Sequence, residues 1–174
     1  MRNTIKLGFG VAAALLLVAQ PARAQTCTGN PCNVDNTASV TVATVLKLTL
    51  SSTTTTLTAP TEAIYDAGEA IQAGPVATVK SNRPWNLQIS TTTGLWAAVG
   101  ALARVDKPAA DLQWSRTGGA PFTALSTAGA NVYGASQSAG GAQVTTFTYR
   151  TVWSWAADTP GDYSLVVRYT VTAP

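Results

Sequence analysis

Few residues in this chain could do chemistry, and the most restrictive fact is what it lacks: it contains no histidine. That removes the usual general base, the usual zinc ligand, and the Ser-His and Cys-His nucleophile pairs. A lysine can serve as base for a serine nucleophile, but Lys47, Lys80 and Lys107 stand in no Ser-x-x-Lys arrangement. Two carboxylates suffice for glycoside hydrolysis. The acids are Asp35, Glu62, Asp66, Glu69, Asp106, Asp111, Asp158 and Asp162, each beside a turn residue or in a loop-like stretch. A solvated turn carboxylate is the simpler reading of every one. The expectation is a protein that is not an enzyme, with no catalytic residue and no cofactor.

Calcium is the one metal this composition tolerates, because it takes carboxylate and carbonyl oxygens. Asp158 and Asp162 flank a turn, yet their spacing fits no Asp-x-Asp-x-Asp-Gly loop. Asp158 is expected to cap that turn instead, and no metal site is assigned. Cys27 and Cys32 enclose Thr28-Gly29-Asn30-Pro31, which turns easily. In an oxidising compartment they are expected to pair, closing a loop worth only about 2 kcal/mol. Four intervening residues instead of two argue against a redox motif, and zinc would need four ligands.

Aromatic side chains are the remaining candidates. Trp85 and Trp114 alternate with polar neighbours and are expected in a core. Trp153 and Trp155 share a parity with Phe147 and Tyr149, most simply a core face. The opposite arrangement would leave an exposed strip able to stack on sugar rings or on another protein. Trp96, between Gly94 and Gly100, is the best single candidate for exposure. Trp96, Trp153 and Trp155 are therefore the candidate surface-contact residues.

The elements that must position these groups read as strands, with period-two alternation and turn residues between. Val40, Val42, Thr44, Leu46, Leu48 and Leu50 predict one apolar face on a long strand over 38–50. A Ser/Thr run over 51–56 follows. The stretch 64–71 reads as a loop or short twisted strand, and 75–80 as a further strand. Trp85, Leu87 and Ile89 predict a half-buried strand; Leu112 and Trp114 mark a short one. Residues 94–110 suit a loop or a strand. Gly118-Gly119, Gly129, Gly134 and Gly140-Gly141 break 115–142 into loops, with one strand near 131–133. The runs 143–156 and 163–172 alternate most clearly, and the Asp158-Thr159-Pro160-Gly161 turn predicts that they pair as an antiparallel hairpin. No stretch after the N-terminal segment has a helical period. The predicted fold is all-β, an antiparallel β-sandwich of about seven to nine strands, Ig-like or Greek key.

The first 24 residues read as a cleaved secretory signal. Arg2 and Lys6 form its charged start, 7–19 its apolar stretch, and Ala22-Arg23-Ala24 a small-x-small cleavage site. Residues 25–37 are then a tip holding the cysteine loop, and 38–174 a single domain. Without Arg2, Lys6 and Arg23, 8 basic residues face the chain's 8 acidic ones. That balance leaves no basic face for nucleic acid, no attraction to anionic lipid, and little repulsion between copies. The mature protein is expected to be exported, to a periplasmic, cell-surface or extracellular location, without a membrane span.

Two stretches carry a resemblance: Pro84-Trp85-Asn86-Leu87-Gln88-Ile89 with its Trp-x-Leu, and Pro160-Gly161-Asp162-Tyr163-Ser164-Leu165 running on to Pro174. They resemble WxL-type bacterial surface domains, a β-rich family associated with the cell wall. That family's second Trp-x-Leu would fall on Tyr169-Thr170-Val171, and its pattern lacks the cysteine pair. The same stretches suit an Ig-like or pilin-like surface fold, so both readings stay open. What the resemblance implies is a cell-wall polymer as partner. The residues themselves point to a secreted, non-catalytic envelope protein acting through its surface. A filament subunit built by strand addition and a carbohydrate-binding module are the alternatives, with a carboxylate-based hydrolase last. Other copies of the chain are the second partner class, with 38–50 as the donor strand.

Overall fold

The computed structural model describes residues 26–174; the signal reading of 1–24 lies outside the described residues. The chain divides into two units at Thr41/Val42. In the first, Cys27 and Cys32 lie at disulfide distance, 5.7 Å between Cα atoms, and residues 28–41 are exposed without helix or strand.

The second unit is all-β, and every strand pair in it is antiparallel. Strand β1 (Leu46–Leu50) alternates half-buried and exposed residues. A six-residue helix α1 (Glu62–Ala67) follows, closed by Gly68 at φ 75°, whose N–H donates to the Ile64 and Tyr65 carbonyls. Only glycine takes that left-handed conformation without strain. Strand β2 (Glu69–Ser81) is long and carries an irregularity between Ala73 and Val76, at Gly74-Pro75. Proline has no N–H to offer the ladder, so the bulge belongs there. Strands β3 (Asn86–Thr91), β4 (Ala97–Val99), β5 (Leu112–Ser115), β6 (Thr123–Ala124) and β7 (Ala130–Asn131) come next, then β8 (Gly140–Val152), β9 (Asp162–Ser164) and β10 (Val167–Thr172).

These strands make a five-stranded sheet, β1-β2-β8-β5-β6, a three-stranded sheet, β10-β3-β7, and a β4-β9 pair. Ala77, Val79, Leu112, Trp114, Phe147 and Tyr149 from the large sheet share one core with Leu87, Ile89, Val167 and Tyr169 from the three-stranded one. Phe147 is fully buried, with its ring edge-on to Tyr169 at 5.1 Å and to Trp114 at 5.9 Å. Trp85 and Trp114 are buried here as their alternation predicts.

Three expectations are corrected. The runs 143–156 and 163–172 do not form a hairpin: β8 pairs with β2 and β5, and β10 with β3. Both edges of β8 are already occupied, so the last strand lies in the other sheet, and its Tyr169 meets Phe147 edge-on across the core. The long first strand is only β1. Its ladder begins where Leu46 meets Ser81, the last residue of β2, so 38–45 has no partner strand among the described residues. Asn82 ends the ladder, its side chain accepting from the Val45 N–H and donating to the Ala43 carbonyl, both at 2.8 Å. Finally, 64–71 is neither loop nor strand at its start: α1 is too short for its period to register in the sequence.

Candidate functional site

The groups with chemical potential converge where the loop after β4 meets the turn after β8. A backbone bond from the Trp96 N–H to the Lys107 carbonyl, 2.9 Å, and the Leu95–Pro108 bridge hold that loop. A single 3₁₀ turn at Ala109–Asp111 then brings Asp111 back beside Lys107. On the other side the Asp158 N–H donates to the Ser154 carbonyl, and the Ser154 N–H donates to Asp158 Oδ2, each at 2.9 Å. Asp158 therefore caps the turn that precedes it, 154–158, and not the 158–161 turn expected from sequence.

Its other oxygen does something the sequence did not reveal. Lys107 Nζ lies 2.8 Å from Asp158 Oδ1, 3.0 Å from Asp111 Oδ2 and 3.0 Å from the Val152 carbonyl. The Lys107 side chain is 0% exposed and that of Asp158 2%. All three ammonium protons have acceptors, the condition on which a buried charge is tolerated. Arg104 Nη1 adds a second cation at 3.2 Å from Asp158 Oδ1, and its Nε binds Asp106 at 2.9 Å. The hydrogen bond that Arg104 donates to Asp106 raises the Arg104 pKa above its ordinary value. Tyr65 donates to the Asp158 carbonyl at 3.2 Å. Burial, and then the Asp158 charge, push its phenol up.

Two indoles roof this cage. Lys107 Nζ sits 4.4 Å from the centre of the Trp153 ring and 6.0 Å from that of Trp96, within the range of cation–π attraction. Trp96 donates to the Pro108 carbonyl and Trp153 to Thr151 Oγ1, both at 3.0 Å. These bonds satisfy the indole N–H groups internally. The expectation that Trp96 and Trp153 offer a contact surface is thereby corrected, since they are 4% and 8% exposed. Trp155 is 61% exposed because β8 ends at Val152, after which the alternation no longer governs direction. It stacks on Tyr65 at 4.5 Å and donates to Asp66 at 3.0 Å.

Trp96 and Trp153 also line a slot of about 570 Å³, together with Leu50, Leu57, Tyr149 and Tyr169 and the Ser/Thr run. The slot lies between the segment that follows β1 and the stretch from β9 into β10, with Leu50 of β1 and Val167 and Tyr169 of β10 in its wall. Strands β1 and β10 are both edge strands of their sheets, and the opposite edges, β6 and β7, have two residues each. Asp162, which the sequence pairs with Asp158 about a turn, is exposed in β9 opposite Val99. Asp158 is committed to two cations, and no cluster of three or more metal-ligating side chains occurs among the described residues.

Lys107, Asp111 and Arg104 are the residues that sequence reasoning missed. Their one local signal is the Lys-x-x-x-Asp spacing across Pro108, which a solvated loop shares. No protein-family model matches the chain, and no curated protein matches it significantly.

Proposed function

We propose that this is an exported, non-catalytic envelope building block that assembles with other copies of itself by strand addition. The observation that carries this is the apolar slot beside β10, reached by Leu50 at the end of β1, both of them edge strands of their sheets. An edge strand presents unpaired N–H and C=O groups, and an extended segment can complete it while filling side-chain pockets. The occupant is the stretch before β1 of a second copy. Val40, Val42 and Val45 are 87%, 76% and 60% exposed there. From Asn33 to Val45, with Asp35 as its one charge, this stretch would extend about 43 Å, enough to cover either edge.

The balanced charge of the mature chain supports close approach of copies. Export is supported by the signal reading and by cysteines at disulfide distance. No described helix is long and apolar enough to cross a membrane. A second reading, a cell-wall module as the WxL resemblance implies, is favoured by the exposed Trp155–Tyr65 stack.

Sedimentation of the purified protein beside a Val40→Asp/Val42→Asp variant tests the first reading. Wild type is expected to assemble with rising concentration. The variant is expected to stay monomeric with an unchanged melting curve, and to stop wild-type growth when mixed in, because it keeps an acceptor slot but has lost its donor. A wild type that stays monomeric, or a variant that assembles equally, refutes strand addition. Pelleting only with isolated cell-wall polymer, lost in Trp155→Ala, would favour the second reading.

A further inference from the structure

The cage around Lys107 is unusual for what surrounds the ion pair. An ammonium and a carboxylate at 2.8 Å are both withdrawn from water. A second carboxylate touches the same nitrogen at 3.0 Å, and a backbone N–H is fixed on the carboxylate's other oxygen at 2.9 Å. A buried ion pair is expensive to desolvate and gains little over an uncharged link of the same shape. Every part needed to make that uncharged link is present. We propose that Lys107 Nζ and Asp158 Cγ condense to an intramolecular amide, which joins the loop between β4 and β5 covalently to the turn after β8.

The step balances without any co-reactant. One Nζ proton passes to Asp158 Oδ1, 2.8 Å away, so that a neutral amine faces a neutral carboxyl group; as its lone pair attacks Cγ, a second Nζ proton passes to Asp111 Oδ2, 3.0 Å away. The C–N bond forms as negative charge develops on Oδ2, where the Ser154 N–H already points; a fixed donor at a developing oxyanion lowers such a barrier. Oδ1, already carrying the first proton, collects the second from Asp111 and leaves as water. Asp111 is regenerated, and the third Nζ proton stays on the amide nitrogen, within reach of the Val152 carbonyl. Ammonium and carboxylate charges cancel, so the product is neutral.

Position explains why this pair and no other would react. Holding nucleophile and electrophile in contact replaces a bimolecular encounter by an intramolecular one, which accounts for several powers of ten in rate. Arg104 Nη1, 3.2 Å from Oδ1, stabilises the departing oxygen. Trp96 and Trp153 keep bulk water from the product, while Asp111, 20% exposed, gives the released water a way out. The other ion pair, Arg150 with Glu69, is half-exposed and has no amine nucleophile.

Mass spectrometry of the purified, thiol-reduced full chain decides the question. The intact protein is expected to weigh less than its sequence by one water molecule. Trypsin is expected to release one branched species joining residues 105–116 to 151–168 through Lys107 and Asp158. Lys107→Met and Asp158→Ala restore the sequence mass. Asp158→Asn keeps the link, with ammonia leaving in place of water. Asp111→Asn leaves the lysine and its target in contact but removes the proton carrier, so the unlinked form accumulates. A folded wild-type protein at full sequence mass, yielding the two peptides separately, overturns the proposal. That result can be read from wild type alone, whether or not any variant folds.

Discussion

Raising the pH should loosen this domain through two tyrosines that bridge its sheets. Tyr149 of β8 and Tyr169 of β10 meet hydroxyl to hydroxyl across the core. Burial is the main cause that raises the pKa of both phenols. For Tyr169 the nearby Tyr149 adds to the effect and lifts it far beyond the ordinary range, while for Tyr149 the hydrogen bond from Tyr169 works the other way. A phenol with a raised folded pKa keeps its proton in the native state while the unfolded chain ionises near its ordinary value of about 10. Its contribution is fully present below that pH and is lost as the pH climbs above it. At pH 11 the unfolded state gains about 1.4 kcal/mol per tyrosine that stays protonated when folded, so about 1.4–3 kcal/mol for the pair. The comparison is urea unfolding of wild type and Tyr149→Phe/Tyr169→Phe at pH 8 and pH 11. Removing both hydroxyls together leaves no orphaned partner, so the variant should differ from wild type by about 1 kcal/mol or less at pH 8. At pH 11 it should have lost less stability than wild type by the amount above. Everything else that titrates in this window is common to both proteins. Parallel losses in the two would refute the idea that these phenols are held neutral by burial.

Other expectations follow from single contacts. Gly161→Ala would place a methyl 2.4 Å from Ala103 Cβ, with Ala103 Cα at 3.0 Å and the Val99 carbonyl at 3.1 Å; overpacking of this kind costs about 1–3 kcal/mol, and Ala103→Gly in the same chain should recover only part of it in thermal melts, because the two backbone contacts remain. Phe147→Ala empties the centre of the core and should cost about 3–5 kcal/mol by denaturant titration, a large share of a domain's stability. Trp155→Ala removes an exposed stack and should cost no more than about 1.5 kcal/mol; acrylamide should quench this indole in wild type and leave Trp96 and Trp153 shielded. Reducing Cys27 and Cys32 should leave the melting of residues 42–174 unchanged, because both cysteines lie in the other unit.

Period-two alternation and β-branched residues determined the all-β class, and they picked the inward faces correctly in particular strands. Phe147 and Tyr149 point into the core from β8, while Val144 stays 60% exposed. Leu87 and Ile89 do the same from β3. That information is local: neighbouring side chains on a strand must point to opposite faces whatever the strand pairs with. Pairing is not local. Whether 163–172 lies beside 143–156 or opposite it depends on which edges of β8 are free, and those are taken by β2, far earlier in the chain (Tyr149 lies opposite Gln72, 77 residues before it), and by β5. The same reason shortened the first strand, since alternation through Val40 and Val42 makes no ladder where β2 has already ended. Tertiary structure alone gave Lys107 its surroundings. A lysine between an aspartate and a proline reads as solvated, and its burial depends on the Trp153 indole and the Asp158 carboxylate, both supplied by a segment far away in sequence, as well as on the nearer Trp96. The chain's local pattern chose faces; only the assembled sheets could choose neighbours, because neighbours come from distant parts of the chain.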